Sequence, residues 1–145
     1  MDDARWLGLA CDLALECPPS RTAFSVGAVI VDADGRELAR GFSRRDDPLD
    51  HAEEAALAGL ADRDGLAGAT LYSSLEPCGE RASRPRTCSE LIVAAGIGRV
   101  VFAWREPSLF VEGRGAELLR SHGVELVELP GLAERARRPN AHLLG

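Results

Sequence analysis

The sequence lacks the features that mark membrane, secreted and nucleic-acid-binding proteins. No apolar run reaches the roughly 18 residues that a membrane span requires, and the nearest candidate, residues 91–104, carries Arg99 in its middle. Positive charge is scarce, because 17 Lys and Arg oppose 23 Asp and Glu for a net charge of -6. A polyanionic partner normally requires the opposite sign, which argues against nucleic acid. The acidic start at Asp2 and Asp3 differs from the basic start of a signal peptide, so we expect a cytoplasmic protein.

Cysteine is also too scarce to form a disulfide scaffold in a chain of 145 residues. Cys11 and Cys17 lie in or just after an apolar helical stretch, where a cysteine acts as a small hydrophobic residue. Cys78 and Cys88 lie instead in a polar loop rich in Arg, Pro, Gly and Ser, which suits a thiolate. The sequence therefore indicates packing roles for two cysteines and chemical roles for the other two.

The pattern of apolar residues predicts a single α/β domain over residues 1–145. A first helix is expected after a cap at Asp2 or Asp3, with its apolar residues over 6–14. Further helices are expected at residues 51–62, 89–95 and 116–121, and Thr87 and Glu90 match a capping box at the start of the third helix. Strands are expected at 25–31, 37–42, 69–74, 100–104 and 124–129. A hairpin followed by strand–helix–strand crossovers predicts a three-layer α/β/α sandwich with a mixed five-stranded sheet. We expect the tail, residues 130–145, to be a peripheral helix or a loose end.

Ligands of such sheets bind beyond the carboxyl ends of the strands, and the residues suited to chemistry fall at that edge. His51 begins the second predicted helix, Cys78 follows the third strand, and Cys88 opens the third helix. One imidazole and two thiolates suit a catalytic Zn²⁺, which takes three protein ligands and leaves a fourth position for water. Glu53 follows His51 by two residues, so we expect it to carry a proton beside that water rather than to bind the ion.

His51-Ala52-Glu53, followed by Pro77-Cys78 and a second cysteine, resembles the zinc-dependent cytidine/deoxycytidylate deaminase superfamily. The insertion between Cys78 and Cys88 is longer than the superfamily's common spacing of about two residues, and it resembles the deaminase domain of riboflavin biosynthesis. The resemblance covers most of residues 23–127. The segments that look like blocks of that domain are 26–31, 68–72, 75–78, 91–97 and 99–101.

The resemblance implies a cytidine deaminase-like fold, Zn²⁺ held by His51, Cys78 and Cys88, and Glu53 as the catalytic residue. It implies hydrolytic release of ammonia from a small heterocyclic amine, with a pyrimidine-type base, nucleoside or nucleotide as the leading substrate class. Members of the superfamily usually form dimers or tetramers, so a homodimer or homotetramer is expected.

Departures from the riboflavin enzymes leave the substrate open. Those enzymes usually have Asn-Pro at Ala23-Phe24, Asp-Pro-Asn-Pro at residues 106–109, and often a histidine at Arg44. Phe24 instead resembles cytidine deaminases, in which an aromatic residue at this place stacks on the base. The usual reductase domain is not expected in these residues. Several changed polar contacts predict a changed substrate, because a polar pocket rejects ligands that lack its partner groups.

A set of residues near these motifs is expected to contact the substrate. They are Phe24, Arg44, Ser74, Glu80, Arg84, Arg86 and Ser108. The arginines can clamp a phosphate or carboxylate, although a solvated loop face explains them equally well. Phe24 can equally belong to the core, and Glu76 is expected to be structural.

Three functions remain open on the sequence alone. The first is deamination of a pyrimidine-type compound. The second is the diaminopyrimidine ribotide step of riboflavin biosynthesis, or a specialised pathway derived from it. The third is a zinc-stabilised binding module without turnover, which needs the metal ligands but has no need of Glu53.

Overall fold

Five strands form one mixed sheet within the part of the chain that the structure describes. The structure is a computed structural model and describes residues 2–62, 64–77, 86–105 and 114–144. The strands are β1 (Gly27–Val31), β2 (Glu37–Phe42), β3 (Thr70–Leu75), β4 (Arg99–Trp104) and β5 (Glu125–Glu128), in the spatial order β2-β1-β3-β4-β5. β1 is antiparallel to β2 and β3, whereas β3–β4 and β4–β5 are parallel. The predicted mixed five-stranded sheet is confirmed.

Helices cover both faces of the sheet. They are α1 (Asp3–Ala14), α2 (Ala52–Ala58), α3 (Cys88–Ala95), α4 (Arg114–Ser121) and α5 (Ala133–Arg137). Gly27 faces α1, whereas Gly41 faces α2 and pairs with Ala28, the next residue of β1. Successive residues of a strand point to opposite faces, so α1 and α2 lie on opposite sides of the sheet. α5 contacts α1 and the row α2–α3–α4 is contiguous, which completes the predicted three layers.

α1 follows directly from its local sequence. The Asp2 side chain accepts the Arg5 N–H and caps the helix, as expected for an aspartate at this position. Cys11 lies on the buried face, and burial raises the pKa of its thiol to about 11. The predicted packing role of Cys11 is therefore confirmed. Across the described residues, no helix has the length and apolar character needed to cross a membrane.

Asp3 of α1 forms hydrogen bonds to two central strands of the sheet, β3 and β4. Arg99 of β4 donates to both of its carboxylate oxygens, at 2.9 and 2.6 Å, and the Tyr72 hydroxyl donates to Oδ1 at 2.6 Å. The hydrogen bond from Arg99 is the main cause that lowers the pKa of the Asp3 carboxyl. Three sequence-distant residues thus form one charge-assisted cluster at the helix–sheet boundary.

Two predicted elements extend at least two residues beyond an observed end. The first strand was expected from Ser25 but begins at Gly27, because the N–H groups of Ser25 and Val26 donate to side chains instead of to a neighbouring strand. The second helix was expected to reach Asp62 but ends at Ala58, and Gly59 caps it. Glycine is a poor helix former, which explains the early end.

The tail is helical rather than loose. Two 3₁₀ segments, Pro130–Leu132 and Arg138–Leu143, flank α5. Arg135 donates to the Gly8 carbonyl and to the Asp12 carboxylate of α1. Ala136 and Asn140 are buried, so the described part of the tail packs closely on the rest of the fold.

Candidate metal centre and active site

His51 lies immediately before α2, at the edge of the sheet where the parallel strands β3 and β4 end. It is the N-cap residue, with extended backbone angles (φ -85°, ψ 162°), and its N–H donates to Glu54 Oε1 at 2.9 Å. This bond satisfies an amide that a helix start leaves without an intrahelical partner. Because Gly41 has no side chain, α2 can lie directly against the backbone of β2. The position of His51 is therefore set by the contact between helix and sheet.

Cys88 is the first residue of α3 and is completely buried. Thr87 Oγ1 accepts the Glu90 N–H at 3.2 Å, and Glu90 Oε1 accepts the Thr87 N–H at 2.9 Å. The capping box predicted from this pair is confirmed. It fixes the first turn of α3, which carries the thiol.

The two helix starts bring an imidazole and a thiol into contact. His51 Nδ1 lies 3.2 Å from Cys88 Sγ. Two tetrahedral ligands with ordinary zinc–nitrogen and zinc–sulfur bonds lie about 3.6 Å apart, so this pair fits a shared Zn²⁺ after a small adjustment.

Cys78, the third predicted ligand, lies outside the described residues. Within the described ranges there is no group of three or more His, Cys, Asp and Glu side chains that could hold a metal ion. The described part of the site thus contributes a nitrogen and a sulfur ligand, and the assignment of Cys78 stays a prediction.

Glu53 lies in the first turn of α2 and is only 4% exposed. It lines a cavity of about 380 Å³ together with His51. Residues 22–24, 26, 43–44, 48–50 and 75–76 form the other walls of the cavity. This volume is in the range of small-molecule sites. A buried carboxylate and the predicted zinc ligand therefore face the same ligand-sized space.

Phe24 contributes an aromatic wall to this cavity. Its ring packs edge to face against Trp104, with ring centroids 5.4 Å apart and an interplanar angle of 81°. Trp104 is the last residue of β4 and is 7% exposed. Phe24 thus both contacts the core and lines the cavity. Its stacking on a substrate stays a prediction.

Arg44 and Ser74 are engaged by the protein itself. The Arg44 guanidinium donates to the carbonyls of Pro18 and Phe24 and to Ser25 Oγ. Its φ of 61° makes it the one non-glycine residue with a left-handed backbone among those described. Ser74 Oγ accepts the Gly27 N–H at 3.1 Å. Arg44 lines the cavity, and direct contact with substrate stays a prediction for both residues.

Four further residues were predicted to contact the substrate, and one of them lies within the described ranges. Arg86 is exposed. Glu80, Arg84 and Ser108 lie outside the described residues. Glu76, which was expected to be structural, is buried at the cavity and forms an ion pair with Arg105 at 3.4 Å.

Sequence reasoning missed two polar side chains that bond to the backbone next to Phe24. Ser43 Oγ accepts the Val26 N–H at 3.0 Å, and Asn140 pairs with the backbone of Ser25. Neither residue belongs to a motif with regular spacing. Asn140 is the only asparagine of the chain, but a single polar residue in a charged tail carries no signal of burial.

The fold and the site define the class, an α/β domain in which a histidine and a cysteine meet beside a buried glutamate at the carboxyl edge of the sheet. The family model described as the cytidine and deoxycytidylate deaminase zinc-binding region matches residues 1–104. The chain therefore belongs to the cytidine and deoxycytidylate deaminase family, as the sequence resemblance implied, and Zn²⁺ is the metal that this family binds.

Named relatives lie on the riboflavin branch. The diaminohydroxyphosphoribosylamino-pyrimidine deaminase of Schizosaccharomyces pombe is 38% identical over 122 residues, 82% of this chain and 30% of that protein. The riboflavin biosynthesis protein RibD of Actinobacillus pleuropneumoniae is 41% identical over 103 residues, 71% of this chain and 26% of that protein. A solved structure of Acinetobacter baumannii RibD matches with a TM-score of 0.82 and 32% identity, covering 96% of this chain and 38% of that one. The chain spans less than a third of these two curated relatives.

Proposed function

We propose that this chain is a zinc-dependent hydrolase that releases ammonia from an aminated N-heterocycle. The observation that carries the proposal is the approach of His51 Nδ1 to Cys88 Sγ at 3.2 Å beside the buried Glu53, at one cavity. A zinc ion that only stabilised a fold would need ligands on all sides but no buried carboxylate in an open cavity. The arrangement therefore favours turnover over a purely structural module.

The metal would be held by His51 and Cys88, with Cys78 as the third ligand. When bound, zinc supplies a water molecule whose pKa is lowered to about 7. Glu53 takes one proton from the attacking water and passes it to the ring nitrogen, and then takes the second proton of that water and passes it to the departing amine. The water oxygen remains on the ring carbon, the C–N bond breaks, and one ammonia leaves for each water consumed.

The cavity walls suit a flat heterocycle. Phe24, Val26 and Leu75 offer apolar surface, while Glu53 and His51 lie at the reacting end. An aromatic side chain can stack on a planar ring and so limit its orientation. We therefore assign a pyrimidine-type base, nucleoside or nucleotide as the leading substrate class.

A diaminopyrimidine ribotide is the second candidate. It is favoured by the 38% identity with a protein named diaminohydroxyphosphoribosylamino-pyrimidine deaminase. The departures at Ala23-Phe24 and Arg44 distinguish this cavity from the usual riboflavin pattern, so a specialised pathway derived from that step is part of the same candidate.

The test is ammonia release by the zinc-loaded protein over a panel of amines. The panel contains cytosine, cytidine, deoxycytidine, their phosphates, guanine, aminotriazines and the diaminopyrimidine ribotide. We expect turnover of at least one pyrimidine compound, lost after chelation of the metal and restored by added Zn²⁺. Turnover of the ribotide alone would establish the second candidate. If the zinc-loaded protein releases ammonia from no compound of the panel, the result would favour the binding module.

We further propose a cytoplasmic homodimer or homotetramer, as expected from the resemblance. Static light scattering coupled to gel filtration gives the molar mass of the particle. A mass two or four times that of the chain would support this assembly, and a monomer at micromolar concentration would contradict it.

A further inference from the structure

Phe24 and Val26 form one wall of the cavity, in the segment just before β1 begins. The N–H groups of residues 25–27 donate to side chains, while the Val26 carbonyl accepts the backbone N–H of Ser43 at 3.0 Å. The N–H of Ser25 donates to Asn140 Oδ1 at 2.6 Å, that of Val26 to Ser43 Oγ at 3.0 Å, and that of Gly27 to Ser74 Oγ at 3.1 Å. The position of this wall therefore depends on individual side chains from other parts of the chain.

Asn140 differs from the other two partners because it binds both sides of one peptide unit. Its Oδ1 accepts the Ser25 N–H, and its Nδ2 donates to the Ser25 carbonyl at 3.0 Å. Two residues of antiparallel strands exchange the same pair of bonds. Asn140 is completely buried, so removing its amide leaves two buried backbone groups unsatisfied.

Three contacts fix the position of Phe24. Its carbonyl accepts a hydrogen bond from the Arg44 guanidinium at 3.1 Å, and its ring packs on Trp104. The residue that follows it, Ser25, is paired with Asn140 from the far side. His142 adds a second link from the tail, with Nε2 at 2.7 Å from the Ser20 carbonyl.

We infer that Asn140 is a positioning residue for substrate binding, which acts by holding the Phe24 wall of the cavity through Ser25. This inference rests on the proposed function, because the substrate is the molecule that contacts the wall. Asn140 also lies outside residues 1–104, the range that the family model matches.

The residues proposed for catalysis and the segment held by Asn140 lie on different elements of the fold. Glu53 and His51 are carried by the start of α2, which packs on the backbone of β2 at Gly41, whereas the Asn140 amide bonds to Ser25, before β1 begins. Loss of the Asn140 amide therefore loosens the wall without moving the proton carrier. A higher KM with a nearly unchanged kcat is the expected signature.

The experiment compares Asn140→Ala with Arg135→Ala in the full zinc-loaded chain. Arg135 also anchors the tail, but its hydrogen bonds go to Gly8 and Asp12 of α1, which are not lining residues of the cavity. Amide hydrogen exchange at Ser25 and the fluorescence of Trp104, isolated by Trp6→Phe, need no substrate. KM and kcat are then measured on the compound that wild type turns over.

In Asn140→Ala we expect Ser25 exchange to accelerate at least about fivefold, the factor that matches one net hydrogen bond. Trp104 emission should shift, and KM should rise about tenfold with kcat within about threefold of wild type. Arg135→Ala should leave all four readouts as in wild type. If Asn140→Ala does not fold, Asn140→Ser, which removes the amide but keeps a small neutral polar group, should give changes of the same kind.

Unchanged Ser25 exchange, or equal effects of the Asn140 and Arg135 variants, would overturn the inference. A fall in kcat with no change in KM would also overturn it, since a merely destabilised enzyme loses active molecules. A wild type that turns over nothing would contradict the proposed function instead, and the exchange and fluorescence readouts would then decide the positioning claim alone.

Discussion

Gly41 is where α2 rests on the backbone of β2, and Gly41→Ala should displace the helix that carries the proposed chemistry. A Cβ at this position would lie 2.5 Å from the Ala56 nitrogen and 2.8 Å from the Ala52 carbonyl oxygen. Both are backbone atoms, so no side-chain rotation removes the overlap. Non-bonded atoms pack at about 3.5–4.0 Å, and α2 must therefore move by about 1 Å.

A movement of that size is large for catalysis. Misplacement of a catalytic group by about 1 Å can lower the rate about 10²-fold. We therefore expect kcat/KM of Gly41→Ala to fall about 10²-fold. The free energy of unfolding should fall by about 1–3 kcal/mol, the usual cost of adding a methyl group to a packed interface.

Gly59→Ala is the matched control, because it adds the same methyl group at the other end of α2. Its Cβ would meet Ala56 O at 3.4 Å, an ordinary contact, and its φ of -81° suits any residue. We expect kcat/KM within a factor of about 2 of wild type. Steady-state kinetics and thermal unfolding of both variants check this reasoning. A folded Gly41→Ala with wild-type kcat/KM would refute it.

Two other contacts give predictions that need unfolding and metal-binding measurements. Asp3→Asn should lower the free energy of unfolding by about 2 kcal/mol at pH 7, because Arg99 loses its charged partner. The folded pKa of Asp3 lies below its unfolded value of about 4, so this difference should be full above pH 4 and shrink as the pH falls. Urea unfolding at pH 7 and pH 3 tests this, and a pH-independent difference would contradict it. Thr87→Ala should cost about 1 kcal/mol and weaken zinc binding by Cys88, measured by chelator competition. Unchanged zinc affinity would contradict this, and Thr87→Ser, which keeps the capping hydroxyl, is the control.

The elements that carry the site were predictable because their signals are local. The capping box of Thr87 and Glu90 spans four consecutive residues, and its geometry is present as expected. His51 and Cys88 are far apart in sequence, but each begins a helix at the carboxyl edge of the sheet. Their contact at 3.2 Å follows from that topology.

The hydrogen bonds that hold the cavity wall could not be predicted, because they join residues that are far apart in the sequence. Asn140 and Ser25 are 115 positions apart, and a single long-range polar pair leaves no periodic pattern in a sequence. The charged tail therefore suggested a peripheral helix or a loose end. The same limit applies to Arg44, whose left-handed backbone and internal hydrogen bonds depend on the loop around Pro18.

Glu53→Gln tests the proposed deaminase most directly, since the amide keeps the size of the side chain but cannot accept the proton. Glu117→Gln, at an exposed position of α4, is the matched control. We expect Glu53→Gln to lose about 10²–10⁴-fold in turnover of the panel compound. Its zinc content and Tm should match wild type, and Glu117→Gln should keep full activity. A zinc-loaded Glu53→Gln that releases ammonia at the wild-type rate would contradict the role of Glu53 in catalysis.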